Sequence, residues 1–148
     1  RKEISCTFAN SKIVNMKFSS NEQSLNAPVE RVFNLCGNYK NLCTYLPPQV
    51  TDFEANEDSC TFTIQNMVKV TLSVAEKVEF ERIVYVASND KNIPISLSFF
   101  FKNIDVNSST MKIEMELDVP IFLRPMVNDP LEKFVQLMSE KIKMEVEK

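Results

Sequence analysis

The sequence predicts an α+β fold: an antiparallel sheet of seven strands, two short helices after strand 1, and a long C-terminal helix that can cross the sheet. Three observations carry this prediction. Alternating apolar and polar residues recur between residues 50 and 118, separated by short polar turns, which is typical of an antiparallel meander. Two segments with helical signals precede the meander, and the last twenty residues have apolar side chains at helical spacing.

The first strand is predicted over residues 12 to 20. Period two places its apolar residues on one face of a half-buried strand, and these are Val14, Met16 and Phe18. Residues 1 to 11 show no sustained period, so we expect a tail or a short leading strand there. Residues 12 to 148 then form a single domain of ordinary size.

A helix is predicted over residues 27 to 36. A capping asparagine, an early proline and an acidic first turn favour its start, at Asn26, Pro28 and Glu30. Gly37 and Asn38 tolerate positive φ and are expected to end it. A second short helix is predicted over residues 39 to 45, because the two prolines that follow cannot continue it.

Six further strands follow in the meander. They are predicted over residues 50–55, 60–65, 67–77, 82–88, 93–104 and 110–118. The chain has only one glycine, so we expect the asparagines in its turns to adopt the left-handed conformation instead. On the last of these strands charged residues alternate with apolar ones, which predicts one buried face and one wet face.

A long amphipathic helix is predicted over residues 129 to 147. Asp129 and Pro130 have the types of a cap and a first-turn proline. Apolar residues then recur at steps of three and four, and these are Leu131, Phe134, Val135, Met138 and Ile142. At 1.5 Å per residue the helix is roughly 28 Å long, which is enough to cross a sheet.

This order of elements, with four short sequence motifs, resembles a known superfamily. The motifs are Asn26-Ala-Pro-Val-Glu-Arg-Val-Phe33, Leu46-Pro47-Pro48, Cys60-Thr-Phe-Thr-Ile64 and Pro130-Leu-Glu-Lys-Phe134. The chain resembles the Bet v 1-like or SRPBCC superfamily over nearly its whole length; this superfamily includes START-related lipid-binding domains and polyketide cyclases. The resemblance implies the helix-grip fold, with an apolar cavity between the concave sheet face and the terminal helix.

Composition excludes several classes of function. There is no histidine, which removes the usual general base, the usual partner of a Ser or Cys nucleophile and the commonest metal ligand. With no Cys-x-x-Cys pair and one glycine, neither a metal, a cofactor nor a phosphate loop is predicted. The net charge of −3, without a basic stripe, argues against a nucleic-acid partner.

The cellular location is inferred from the length of the apolar runs and from the spacing of the cysteines. No apolar run approaches the roughly 18 residues that span a bilayer, so no transmembrane segment is expected. Four cysteines are spaced unlike a secreted disulfide framework and are interpreted as free thiols: Cys6, Cys36, Cys43 and Cys60. We expect a soluble, cytoplasmic protein.

The preferred hypothesis is a binder of a small hydrophobic molecule that is lipid-, sterol- or polyketide-like. No catalytic residues are predicted. The cavity residues are predicted to be Phe62, Leu72, Leu97, Phe99, Met115, Phe134 and Met138. Each of these would also be apolar in any close-packed core of the same fold, so the pattern indicates burial first and ligand contact second.

Two alternatives come from other classes of function. A cyclase- or dehydratase-like enzyme would use acid or base groups in the cavity, and the candidates are Tyr39, Tyr45, Tyr85, Glu54 and Glu76. An interaction module would use its surface instead. The candidates for that surface precede the last helix or lie at its start, and they are Ile121, Phe122, Leu123 and Met126.

Overall fold

The computed structural model describes residues 12–41, 50–64, 68–89 and 93–147. Its elements in chain order are β1 (Ile13–Ser19), β2 (Gln23–Leu25), α1 (Val29–Cys36), β3 (Val50–Ala55), β4 (Cys60–Ile64), β5 (Val68–Val78), β6 (Arg82–Asn89), β7 (Ile95–Asp105), β8 (Ser108–Pro120) and α2 (Arg124–Val146). Short 3-10 helices lie at Tyr39–Asn41 and Ile121–Leu123.

The strands described form one antiparallel sheet in the order β1-β8-β7-β6-β5-β4-β3, and β2 also pairs with β8. Strands β3 to β8 are therefore consecutive hairpin neighbours, as a meander requires. The first strand joins the last one, with Ile13 opposite Pro120 and Ser19 opposite Glu114. Together with α2 this is the helix-grip architecture predicted from the sequence.

All seven predicted strands are present, with ends within two residues of the predicted ones. The further strand β2 has only three residues, which is too short for an alternating pattern to reveal it. The predicted tail over residues 1 to 11 lies outside the described residues, as do residues 65 to 67, where one predicted strand ends and the next begins.

Helix α1 departs from its predicted start. It begins at Val29, and its N-terminal flank is Pro28, with no side-chain capping bond, so the predicted role of Asn26 is wrong. Asn26 instead donates its backbone N–H to the carboxylate of Glu147 at 2.9 Å, which ties the chain before α1 to the end of α2. The predicted second helix is a single 3-10 turn as far as Asn41, and residues 42 to 49 lie outside the described residues.

The expected left-handed asparagines are also wrong for the described turns. Among the described residues that are not glycine, positive φ occurs at Phe80 (61°), in the turn between β5 and β6, and at Asp52 (56°), where the pairing of β3 with β4 is irregular. Gly37 has a φ of −87°. Asn56 shapes its turn with its side chain, whose oxygen accepts two backbone N–H groups of the same turn at 2.7 and 3.0 Å. An asparagine can therefore serve a glycine-poor turn without leaving the usual backbone regions.

Helix α2 starts five residues before its predicted start. It begins at Arg124, Pro125 lies in its first turn, and Pro130 lies inside the helix rather than at its start. The segment before Leu131 carries no apolar periodicity, so only the Asp-Pro pair suggested a start. A proline inside a helix lacks the N–H that would bond the carbonyl four residues earlier, here that of Met126.

The C-terminal half of α2 is fixed to β2 and α1 by polar bonds. Gln23 donates to the Ser139 hydroxyl at 3.1 Å, and the Lys143 ammonium donates to the Ser24 carbonyl. The Arg31 guanidinium reaches the carbonyl of Val146 at 3.1 Å. These bonds hold this half of the helix to β2 and α1, and α2 as a whole packs against β1, β2, β8 and α1.

Candidate ligand-binding interior

The seven predicted cavity residues all lie in one apolar cluster inside the molecule. Strands β4, β5, β7 and β8 and helix α2 direct these side chains inward, and each is at most 5% exposed. Leu97 and Met115 are direct cross-strand partners. The prediction that they are buried together is confirmed, whereas their contact with a ligand stays a prediction.

The interior is packed unevenly along α2. The helix buries one face in its C-terminal half, through Phe134, Val135, Met138, Ser139, Ile142 and Val146. Nearer its start, Val127 and Leu131 are only partly buried, although both pack on the core. The helix therefore covers the interior closely at one end and loosely at the other.

The loosely covered end coincides with partly buried strand residues. Ile95 lies opposite Leu117 near the end of β8, and Asp118 donates its N–H to the Pro94 carbonyl at 3.2 Å. Ile93 and Ile95 are thus close to the chain that leads into α2, and both are only partly buried. We call this region, residues 93–95 and 119–131, the α2-start end.

The opposite end of the interior is closed by aromatic packing. The Phe33 ring of α1 meets the Phe80 ring at a centroid distance of 5.4 Å and the Phe101 ring at 5.6 Å, both edge to face. Such contacts add to the burial of apolar area. Helix α1 therefore packs on the end of the sheet that lies away from the start of α2, where Phe80 itself stays partly buried.

Two tyrosines of the interior are engaged by backbone groups. Tyr85 is fully buried, and its hydroxyl donates to the carbonyl of Cys36. The Tyr39 hydroxyl accepts the N–H of Val74 at 2.9 Å. The two rings lie 5.8 Å apart, edge to face. Both hydroxyls therefore have structural roles at the junction of α1 with the sheet.

Burial keeps the interior titratable groups neutral. It raises the pKa of the Cys60 thiol to about 12, against a smaller opposing effect of a hydrogen bond with the Leu72 backbone. Burial also raises the pKa of the Cys36 thiol and of the Tyr85 phenol well above their ordinary values. All three groups are therefore protonated at neutral pH, and no ionised nucleophile arises from them.

The acid and base candidates do not converge. Glu54 is exposed, and Glu76 is half exposed and bonded to the Arg82 guanidinium at 2.7 Å. That hydrogen bond and the charge of Arg82 lower the pKa of the Glu76 carboxyl. Tyr45 lies outside the described residues. Among the described candidates, the two tyrosines thus point inward and the two glutamates outward.

An open polar depression of about 530 Å³ lies where α1 ends, beside the turn between β3 and β4. Lys40 and Lys77 line it together with Glu57 and Asp58. The Lys77 ammonium lies 5.5 Å from the centroid of the Phe33 ring. Three distant segments form this site, so no local sequence pattern predicts it.

The described residues offer neither a metal-ligand cluster nor a membrane-spanning helix. No three His, Cys, Asp or Glu side chains among them are grouped so that they could hold a metal ion. No helix in the described part of the chain is long and apolar enough to span a bilayer.

Comparison with known proteins gives similarity in structure alone. No family model and no curated protein matches the chain. A START superfamily protein from Mycobacterium smegmatis superposes with a TM-score of 0.69 at 11% identity, over 91% of this chain and 97% of that one. A protein from Thermus thermophilus gives a TM-score of 0.71 at 19% identity, over 88% of this chain and 97% of that one.

A plant enzyme is also similar in structure. Norcoclaurine synthase from Thalictrum flavum, solved in complex with dopamine and hydroxybenzaldehyde, superposes with a TM-score of 0.67 at 12% identity. The match covers 99% of this chain and 94% of the enzyme. At such identities the similarity concerns the fold.

Proposed function

We propose that this chain, which has the helix-grip fold of Bet v 1-like and START-related proteins, binds a small hydrophobic molecule between α2 and the concave face of its sheet. The ligand class that we favour is lipid-, sterol- or polyketide-like. The norcoclaurine synthase complex with dopamine and hydroxybenzaldehyde supports the idea that this fold can hold small aromatic molecules.

The observation that carries the proposal is the uneven cover of the interior. Leu131 and Val127 on α2, and Ile93 and Ile95 beside the sheet, remain partly exposed, while the predicted cavity residues deeper inside are buried. An apolar interior that is packed on α1 at one end and has partly exposed apolar side chains beside the start of α2 suits a molecule that enters there.

Burial would supply most of the affinity. Covering some 300 Å² of apolar ligand surface contributes roughly 7 kcal/mol at about 25 cal/mol per Å², before the cost of association. Burial of that area alone therefore sets a roughly micromolar upper limit to the affinity, because the cost of association lowers it further. We favour binding over acid–base catalysis because the inward hydroxyls of Tyr39 and Tyr85 are engaged by backbone and because Glu54 and Glu76 lie outside.

We also propose a cytoplasmic location. Cys36 and Cys60 are buried and unpaired, which fits a reducing compartment.

The test is a ligand screen with matched variants. We expect members of a panel of fatty acids, sterols and aromatic polyketides to remain bound in native mass spectrometry and to raise the melting temperature. Leu131→Arg places a charge at the proposed entrance and should weaken binding at least tenfold. Leu137→Arg is the control, since Leu137 is exposed on the outer face of the same helix.

Two outcomes would count against the proposal. One is the absence of binding across the whole panel. The other is equal affinity of both arginine variants and the parent chain at equal melting temperature, which would remove the α2-start end as the entrance.

A further inference from the structure

We propose that the α2-start end, together with the adjacent residues Lys12 and Ile13, docks on an anionic lipid surface. The docking surface consists of the apolar side chains of Ile13, Ile121, Phe122 and Met126 with the cations Lys12 and Arg124. This inference goes beyond the proposed function and does not depend on which hydrophobic molecule the interior takes.

The apolar part of the surface is unusually exposed. Phe122 is 60% exposed, Met126 64% and Ile13 56%, and Ile121 is also on the surface. The backbone brings them together, because Ile13 lies opposite Pro120 and the Ile121 N–H donates to the Lys12 carbonyl at 2.7 Å. Large apolar side chains grouped at one end of a molecule mark an interaction site more often than scattered ones do.

The charges around these side chains favour a lipid surface as the occupant. Lys12 and Arg124 are exposed, and neither forms an ion pair with any described residue. The two segments that build the surface, residues 12–14 and 119–127, contain no acidic residue. Two carboxylates flank them: Asp118, which accepts a hydrogen bond from the Asn15 amide at 2.8 Å, and the exposed Asp129. Apolar side chains between unpaired cations suit a membrane. The apolar side chains enter the boundary of the acyl chains, and the cations meet phosphate and carboxylate headgroups.

The charge on the rest of the molecule would set the orientation of the protein on the bilayer. The chain has a net charge of −3, so other faces are repelled from an anionic bilayer. Val106 differs from the apolar side chains of the docking surface. It is 84% exposed, but an acidic residue, Asp105, precedes it in the turn between β7 and β8. When the molecule is docked through Phe122 and Met126, the loosely covered interior beside Leu131 lies next to the bilayer.

Vesicle sedimentation tests the proposal. We expect the parent chain to bind phosphatidylcholine vesicles that contain 30% phosphatidylserine, and to bind pure phosphatidylcholine at least tenfold more weakly. Phe122→Asp should lower the affinity for the anionic vesicles by tenfold or more, and Met126→Asp should repeat the effect if the first variant is unstable. Val106→Asp is the matched control and should leave the affinity unchanged.

Charge variants test the electrostatic part. Arg124→Gln and Lys12→Gln should each weaken binding to anionic vesicles about fivefold, and the parent's affinity should fall as salt rises. Equal binding to neutral and anionic vesicles would overturn the proposal, as would equal losses in Phe122→Asp and Val106→Asp.

Two further outcomes distinguish lipid docking from dimerisation and from the proposed ligand binding. A dimer in sedimentation velocity that Phe122→Asp abolishes, without vesicle binding by the parent, would assign the surface to a second copy of the chain and overturn lipid docking. Solution binding of a hydrophobic ligand without any vesicle binding would overturn docking alone and leave the proposed function standing.

Discussion

The hydroxyl of Tyr85 reaches from β6 to the last residue of α1 and donates to the carbonyl of Cys36 in a fully buried position. The last carbonyls of a helix have no intrahelical donor, so a buried helix end needs a partner from elsewhere. Edge-to-face contacts with Tyr39 and Phe99 fix the ring that supplies it. One side chain thereby joins the helix end to the sheet.

Removing that hydroxyl should destabilise the fold without changing its shape. We expect Tyr85→Phe to lower the free energy of unfolding by about 1–3 kcal/mol, since the Cys36 carbonyl would stay buried without a donor. Urea unfolding followed by circular dichroism measures this, with an unchanged m-value as the control for an unchanged fold. A loss below about 0.3 kcal/mol would mean that water replaces the hydroxyl.

At the scale of elements, α2 is one helix with two environments. Its C-terminal half is held by side-chain bonds to β2 and α1, whereas its first two turns carry Pro125, Pro130 and exposed apolar side chains. Pro125 lies in the first turn, where a missing N–H costs nothing. Pro130 lies inside the helix and weakens the segment over the proposed entrance.

The two prolines form a matched pair for a test. We expect Pro130→Ala to raise the free energy of unfolding by about 1–2 kcal/mol, because the restored N–H outweighs the greater freedom of the unfolded chain. Pro125→Ala should change it by no more than about 0.5 kcal/mol. Urea unfolding of both variants gives the comparison, and equal shifts would show that Pro130 does not weaken the helix.

The elements that the sequence predicts well are those with one wet and one buried face. Four strands of the meander, β4, β5, β7 and β8, alternate cleanly, so these strands and the inward direction of Phe62, Leu97 and Met115 follow from period two. The start of α2 does not follow, because residues 124 to 130 have no apolar period and the Asp-Pro pair imitates a helix start. The local signal at Asn26 fails because its backbone N–H bonds to Glu147 instead, whereas Gly37 ends α1 as predicted but with a φ of −87°.

The candidate site is predictable only in part. Burial of its seven residues follows from the alternation in strands and the helical spacing in α2. The loose cover beside Leu131 and the polar depression beside Lys77 depend on how distant segments meet, and no single run of residues encodes either of them.

At the scale of the whole molecule, the buried thiols and phenol set an alkaline limit to stability. In the unfolded chain these groups lose protons near their ordinary pKa values of 9.0 and 10.0. In the folded protein, burial raises the pKa of Cys36, Cys60 and Tyr85. The unfolded state therefore binds fewer protons above pH 9, and stability must fall as the pH rises.

Unfolding at several pH values measures this limit. We expect the urea midpoint to be nearly constant between pH 6 and pH 8 and to fall above about pH 9, with each group contributing up to about 1.4 kcal/mol per pH unit. Cys60→Ala should lower stability at neutral pH through lost packing and should also flatten the alkaline fall. An identical slope in the variant and the parent would contradict the assignment to Cys60.

The pairing of β1 with β8 bears on how the chain reaches its native state. Ile13 and Pro120 are neighbours in space although more than a hundred residues separate them. Such a pairing closes the longest loop in the sheet, and non-local pairings slow folding because the loss of chain entropy precedes the gain from contacts. During synthesis β1 therefore cannot pair with β8 until nearly the whole domain has left the ribosome.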